Sequence, residues 1–343
     1  MKNLITLKNE INNELNNFFD KEIENANFSD VTKGAVSYLK EYTLRGGKRL
    51  RALLFISSYL CFNELNKNII RASVYAELMQ SYLLIHDDFI DNDDLRRGGY
   101  TIHKYYEKKF DKHFGGSMAV NLGDLASSLI LKPIINSPLS ELRKILVVKK
   151  IHETLEKEIY GQILDINFSR RAIKTIKEKE ILEMYRLKSV PYTTVCPIYA
   201  GAILAGANKD KLKTLEIYAD NIGLAFQLID DNLGMFGNEE ETGKPNDSDI
   251  REGKRTLLIV KALEEATKKE QVIINKVLGN KESSEEDIRI VKEIVKNNSL
   301  EYCKELAEKL ANNGISALKR VKLKNEGKEL LIYLANYIIN RNN

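Results

Sequence analysis

Residues 82–98 read Tyr-Leu-Leu-Ile-His-Asp-Asp-Phe-Ile-Asp-Asn-Asp-Asp-Leu-Arg-Arg-Gly: an apolar run, then five aspartates, then two adjacent arginines. At about 100° per residue, Asp87 and Asp91 fall one helical turn apart on the same face. Carboxylates gathered this closely at the end of an apolar helix need cations to neutralise them. No cysteine or imidazole cluster accompanies them. An all-oxygen donor set suits a hard ion such as Mg2+, which keeps several waters and completes its shell with phosphates. Arg96 and Arg97 then offer donors to phosphate oxygens. Taken alone, the same stretch also describes a solvated acidic helix end followed by a basic turn.

Upstream, residues 71–91 form one predicted helix, on which Gln80 and Asp87 share a face and Tyr82 lies a turn and a half before Asp87. A shorter helix over Val36–Leu44 stops at Gly46-Gly47, and Lys48, Arg49 and Arg51 follow, just before the apolar Ala52–Ile56. A glycine pair followed by cations at a helix start presents charge and open N–H groups to an anion. As a lone motif it equally describes a surface helix start with incidental basic residues. His86 and His103 flank the acidic stretch, and both read as packed histidines rather than metal ligands.

Downstream, Gly115-Gly116 marks a polar loop before a helix over 117–135. A helix over 141–168 carries Gly161-Gln162 and Asp165. Glycine inside a helix is disfavoured by about 1 kcal/mol relative to alanine, so Gly161 predicts close packing. A helical run over 178–205 contains Lys188, Ser189 and then Pro191, which kinks a helix and releases backbone carbonyls. A second apolar helix, beginning near Gly223, ends in Asp230-Asp231. The loop over 236–256, with Lys244, Asp249 and Lys254, is long enough to suggest a lid. The remainder divides into amphipathic helices over 257–266, 271–277, 285–297, 300–312 and 330–339. No strand-like run appears.

The predicted fold is therefore all-α, one domain over 1–343, with the motifs in a core of 46–256 and packing helices over 257–343. A net charge of +4 on 343 residues, with no basic stripe, argues against a nucleic-acid partner. Cys61, Cys196 and Cys303 have neither disulfide nor zinc spacing. The start, Met-Lys-Asn-Leu-Ile-Thr, lacks a signal peptide's apolar core. The most apolar run, 195–207, is too short to span a bilayer. These features predict a cytoplasmic protein without a membrane span.

Two acidic helix ends, each preceded by an apolar stretch and interspersed with basic residues, describe a site that grips a diphosphate through bridging metals above a greasy cavity. At this point the sequence resembles the trans-isoprenyl diphosphate synthases, the polyprenyl synthetases. The matching pieces are Gly46-Gly-Lys-Arg-Leu-Arg51, Asp87-Asp-Phe-Ile-Asp91 with Arg96-Arg-Gly98, Gly161-Gln162 with Asp165, Lys188-Ser189, Phe226-Gln-Leu-Ile-Asp-Asp231, and the Gly243-Lys…Asp249…Gly253-Lys254 loop. They occur in the family's order.

The resemblance implies an antiparallel helix bundle of the isoprenoid synthase type around a central cavity, usually a homodimer. It also implies head-to-tail condensation of isopentenyl diphosphate with an allylic diphosphate. Asp87, Asp91 and Asp230 would bind three Mg2+ ions, with Mn2+ as an alternative ion. Arg96, Lys188 and Lys254 would hold the remaining oxygens of the allylic diphosphate. Lys48, Arg51, Gln80 and Arg97 would form a metal-free pocket for isopentenyl diphosphate, with Lys244 a further substrate-binding cation. Ser189, where the family commonly has Thr, and Gln227 would stabilise the allylic cation.

Two departures stand out: Gly234 where many relatives carry a third Asp, and Ala52 in place of a common proline. Tyr82, at the fifth position before Asp87, would limit product length, while Leu83 beside it is smaller than the aromatic of many farnesyl-producing relatives. This resembles archaeal-type geranylgeranyl synthases, with a C20 product expected. A C15 or mixed C15/C20 synthase is the alternative, and a C25 synthase a more distant one. A class I terpene cyclase and a noncatalytic synthase subunit are the remaining rivals.

Overall fold

Asn66 starts the helix that carries the acidic stretch. In the computed structural model, which describes residues 4–238 and 246–340, its side chain accepts from the N–H groups of Asn68 and Ile69 at 3.0 and 3.2 Å. Two of the donors that every helix start leaves open are thus met. This helix, Lys67–Ile90 (α4), follows Leu4–Asn25 (α1), Asp30–Leu44 (α2) and Leu50–Leu60 (α3). Nearly every later element is also helical, so the fold is all-α.

The chain divides into two compact units, residues 1–151, 197–212 and 323–331 in the first and 152–196, 213–322 and 332–343 in the second. In the first unit, α1 packs on α2 and α4 and buries Leu7, Ile11, Leu15 and Phe19, the apolar face its spacing predicts. α3 is buried along its whole length and packs on α4. Beyond α4, Leu95–Arg96 (β1) pairs antiparallel with Gly99–Tyr100 (β2). Arg97 and Gly98 between them have φ of 52° and 76°, a two-residue turn whose left-handed residues match strand twist. Two residues per strand leave no alternation to read, so this hairpin is invisible to sequence periodicity.

Helices Ile102–Lys109 (α5), Lys112–Leu129 (α6) and Lys132–Ile135 (α7) follow. Gly115 and Gly116, expected in a loop, lie inside α6, which starts under a cap in which Asp111 accepts from the Phe114 N–H at 2.9 Å. A Cβ at Gly116 would sit 2.9 Å from the Phe89 ring, and one at Gly123 would sit 2.2 Å from His86 Nε2. Close packing on α4 outweighs the helix cost of glycine, about 1 kcal/mol per residue. Residues 112–135 are also long and apolar enough by composition to cross a membrane, which the reading of 195–207 as the most apolar run did not anticipate. Ala119, Leu122, Ala126 and Leu129 are buried where α6 packs on α4 and α5, while Phe114 and Val120 on the same helix are exposed.

The chain continues through Glu141–Arg170 (α8), Glu178–Lys188 (α9), Cys196–Leu204 (α10) and Lys209–Phe236 (α11). After the segment outside the description come Ser248–Glu252 (α12), Leu257–Glu265 (α13), Lys268–Val277 (α14), Glu285–Lys319 (α15) and Asn325–Ile339 (α16). The predicted run over 178–205 is broken at Pro191, where residues 191–195 form a turn of π-helix, a device that recurs at functional sites. The two helices expected over 285–312 are one. Asn298 Nδ2 donates to the Ile294 carbonyl at 2.8 Å and Ser299 Oγ to that of Val295 at 2.9 Å. Polar side chains that resemble a break are thereby satisfied inside α15.

Candidate active site

In the first unit, α4 ends at Asp91, whose N–H donates to the Asp87 carbonyl at 2.8 Å. Asp87 and Asp91 therefore occupy the final turn, both half-buried. Asp88 points elsewhere: it is wholly buried and accepts from Tyr42 Oη at 2.6 Å and Arg96 Nε at 2.7 Å. Asp93 lies 3.4 Å from the same guanidinium. Burial works against the charge of Arg96, but Asp88, then Tyr42 and Asp93, outweigh it and hold its pKa above the ordinary arginine value. Arg96 is thus placed in a buried carboxylate pair.

The donor set fits magnesium. Asp87 and Asp91 supply oxygen only. His86 is turned away into the notch left by Gly123, with its ring edge-on to Tyr82 at 5.0 Å. Among the described residues no three His, Cys, Asp or Glu side chains converge as a ready-made metal cage. Two carboxylates one helical turn apart suit an ion that keeps its waters and takes the rest of its shell from a phosphate.

Two turns earlier on α4 lies a site of opposite charge. With its amide oxygen facing the cations, Gln80 accepts from Arg97 Nη2 at 3.2 Å and from Arg51 Nη1 at 3.1 Å. Arg97 Nη1 also donates to the Arg45 carbonyl at 3.1 Å. Among the described residues no carboxylate pairs with Arg97. Burial lowers its pKa, and the pull of Glu77 and the push of Arg49 act on it in opposite senses. A cation held at a disadvantage in this way is stabilised by an incoming anion. Lys48, by contrast, is exposed.

The second unit holds a cluster of two lysines on one aspartate. Lys188 Nζ and Lys254 Nζ lie 2.6 and 3.2 Å from Asp165 Oδ2. A Cβ at Gly161 would lie 2.2 Å from the Lys188 backbone nitrogen, so the glycine that sequence marked for close packing brings the end of α9 onto α8. Lys254 follows Gly253, whose φ of 73° ends α12. Ser189 caps α9 and is buried.

Along α11, Gly223 admits Thr194 of the π turn, whose Oγ1 would be 2.4 Å from a Cβ there. One turn on, Gln227 Nε2 donates to Asp231 Oδ1 at 2.7 Å. Tyr185 Oη donates to Asp231 Oδ2 and accepts from the Leu257 N–H at 3.0 Å. Burial, with Asp249 and Asp230 adding repulsion against these hydrogen bonds, raises the Asp231 pKa well above the carboxylate range. Asp230 instead is exposed. A Cβ at Gly234 would stand 3.5 Å from Asp249 Oδ2, so a carboxylate faces the position of the Gly234 departure.

The Polyprenyl synthetase family model matches residues 34–295. The chain belongs to this family. It is 34% identical to the geranylgeranyl diphosphate synthase of Saccharolobus solfataricus over 338 residues, covering 96% of this chain and 98% of that one. It is 33% identical to a short chain isoprenyl diphosphate synthase of Methanocaldococcus jannaschii, covering 86% and 83% of the two chains. Among solved structures, it is similar to geranylgeranyl pyrophosphate synthase of Corynebacterium glutamicum complexed with isoprenyl diphosphate and magnesium. The TM-score is 0.91 at 30% identity, covering 99% of this chain and 100% of that one.

Against this family background, the structure brings together Arg51, Gln80 and Arg97, and separately Lys188, Lys254 and Asp165. Asp87 and Asp91 share a helix end with Tyr82, half-buried, and Leu83, buried, in the preceding turns. Lys244 lies outside the described residues. Sequence reading did not find the buried holders: Asp88 and Tyr42 for Arg96, Asp231 for Gln227, and Glu77 for Arg49. Charged residues inside apolar helical runs, such as Glu77 between Ala76 and Leu78, were the available signal.

Proposed function

We propose that this polyprenyl synthetase joins isopentenyl diphosphate head to tail to allylic diphosphates, forming chiefly the C20 product and pyrophosphate. The observation that carries this reading is the double character of α4. Its last turn bears two half-buried carboxylates one turn apart on the same face, and two turns earlier Gln80 gathers Arg51 and Arg97 into a cationic pocket. A condensing enzyme needs a metal-assisted diphosphate site and a second diphosphate site that does without metal. A terpene cyclase has no use for the second, and a noncatalytic subunit has no use for either.

Asp87, Asp91 and Asp230 hold magnesium, three ions in this proposal, and Mn2+ would serve the same donors. Magnesium, when bound, neutralises the allylic diphosphate and makes it a competent leaving group. Lys188 and Lys254 bind diphosphate oxygens, with Arg96, held by Asp88, as a third cation. Lys48, Arg51, Gln80 and Arg97 hold isopentenyl diphosphate, and Lys244 assists. The allylic C–O bond breaks with its electron pair going to diphosphate. The isopentenyl double bond then forms the new C–C bond, and the proton lost from isopentenyl passes to the pyrophosphate leaving group. Gln227, fixed by Asp231, and Ser189 stabilise the positive carbon with their oxygen dipoles. Tyr82, with the buried Leu83 beside it in sequence, limits the growing chain.

We place the enzyme in the cytoplasm, acting as one catalytic domain and as a homodimer. Leu142 and Ile145, 69% and 65% exposed, support a second copy as a covering surface. The test of the reaction is incorporation of labelled isopentenyl diphosphate into acid-labile lipid, with Mg2+ and with chelator. The Asp87→Ala and Asp230→Ala variants should each lose about a hundredfold in turnover while keeping helical circular dichroism. Near wild-type turnover in either variant would remove the metal assignment.

A further inference from the structure

Arg49 lies between two residues of the isopentenyl diphosphate pocket, yet its side chain turns inward and is 2% exposed, as is that of Glu77, its ion-pair partner at 3.2 Å. Neither group meets solvent, so neither touches a substrate. Arg49 also adopts φ 54° and ψ 32°, a left-handed conformation disfavoured for residues with a side chain and kept only where the surroundings over-determine it.

Those surroundings are explicit. Arg49 Nη1 donates to the Thr43 carbonyl at 3.0 Å and Nη2 to that of Leu44 at 3.1 Å. These are carbonyls that the end of α2 leaves without helical donors. The next carbonyl, of Arg45, is taken by Arg97 at 3.1 Å. Arg49 Nε donates to Asn12 Oδ1 of α1 at 2.8 Å. The other oxygen of Glu77 accepts from the Ala52 N–H at 3.4 Å, directly after Arg51. Glu77 sits one turn before Gln80 on α4.

We infer that the Arg49–Glu77 pair is the positioning element of the isopentenyl diphosphate pocket. It locks the turn after Gly46-Gly47 so that Lys48 faces solvent and Arg51 meets Arg97 on Gln80. A planar guanidinium can serve four acceptors lying in different directions; an ammonium cannot hold the same fork. This inference rests on the assignment of that pocket to isopentenyl diphosphate.

The experiment measures KM for each substrate and kcat in Arg49→Lys, Glu77→Gln and Arg51→Gln, with folding checked by circular dichroism. Both positioning variants should raise KM for isopentenyl diphosphate at least tenfold. KM for the allylic substrate and kcat should stay within threefold. Equal rises in both KM values, or a lower melting temperature with both KM values unchanged, would overturn the inference. Glu77→Gln keeps the shape of the side chain and carries the test if Arg49→Lys does not fold. Arg51→Gln separates the two levels. If it raises KM for isopentenyl diphosphate and the positioning variants do not, only the inference fails. If it does not, the pocket assignment falls and takes the inference with it.

Discussion

Lys188 and Lys254 converge on one oxygen of Asp165, at 2.6 and 3.2 Å. All three side chains are less than a fifth exposed. The expected consequence is a strong dependence on Asp165. Asp165→Asn should cost about 2 kcal/mol, less than the 3–5 kcal/mol of a fully buried broken pair because the lysines keep some solvent. Added pyrophosphate should restore part of that loss and protect the variant more than the wild type. Equal protection of both in a thermal melt would mean that the lysines do not form an anion site.

Tyr82 gives the second prediction. It stands in the turn before Asp87, edge-on to His86 at 5.0 Å, and His86 is fixed by the notch at Gly123. Tyr82→Ala should open space below the aspartates and shift the products to longer chains. An unchanged chain length on reversed-phase separation would reduce Tyr82 to a packing residue.

The third concerns pH. Burial lowers the His103 pKa below 6.5, against the opposing pull of Asp88, Asp94 and Glu107. Its Nδ1 is 3.2 Å from Thr101 Oγ1, and its Nε2 is buried without a hydrogen-bond partner. As pH falls below about 6.5 the unfolded chain takes up a proton at this histidine before the folded chain does. His103 therefore contributes stability that is full above that pH and is lost as pH drops toward the folded pKa. Urea unfolding from pH 7 to 5 should show a shallower loss in His103→Gln than in the wild type. Parallel curves would contradict the assignment.

What sequence made legible was local and periodic. Helical spacing made it legible that Asp87 and Asp91 share a face at the end of α4, but Asp230, read as lying at a helix end, stands inside α11, which runs on to Phe236. Gly161 was legible because glycine is costly in a helix. The pairing of Lys188 with Lys254 was not, because it depends on α8, α9 and the segment after α12 meeting in space. Arg49 was hidden for a different reason. Its neighbours Lys48 and Arg51 carry the same charge, and Arg51 is buried as well. Only the partners, Glu77 and the carbonyls at the end of α2 for Arg49 against Gln80 for Arg51, separate the two arginines. The break expected near Asn298 failed because polar side chains were read as turn formers, when in α15 they bond to their own helix.

The most direct test of the account is product analysis of the purified chain given Mg2+, isopentenyl diphosphate and dimethylallyl, geranyl or farnesyl diphosphate in turn. The products are dephosphorylated and separated by chain length. The account predicts geranylgeraniol as the main alcohol from every primer, and none with chelator present. Cyclic hydrocarbons, or no product from a chain that circular dichroism shows to be folded, would contradict it.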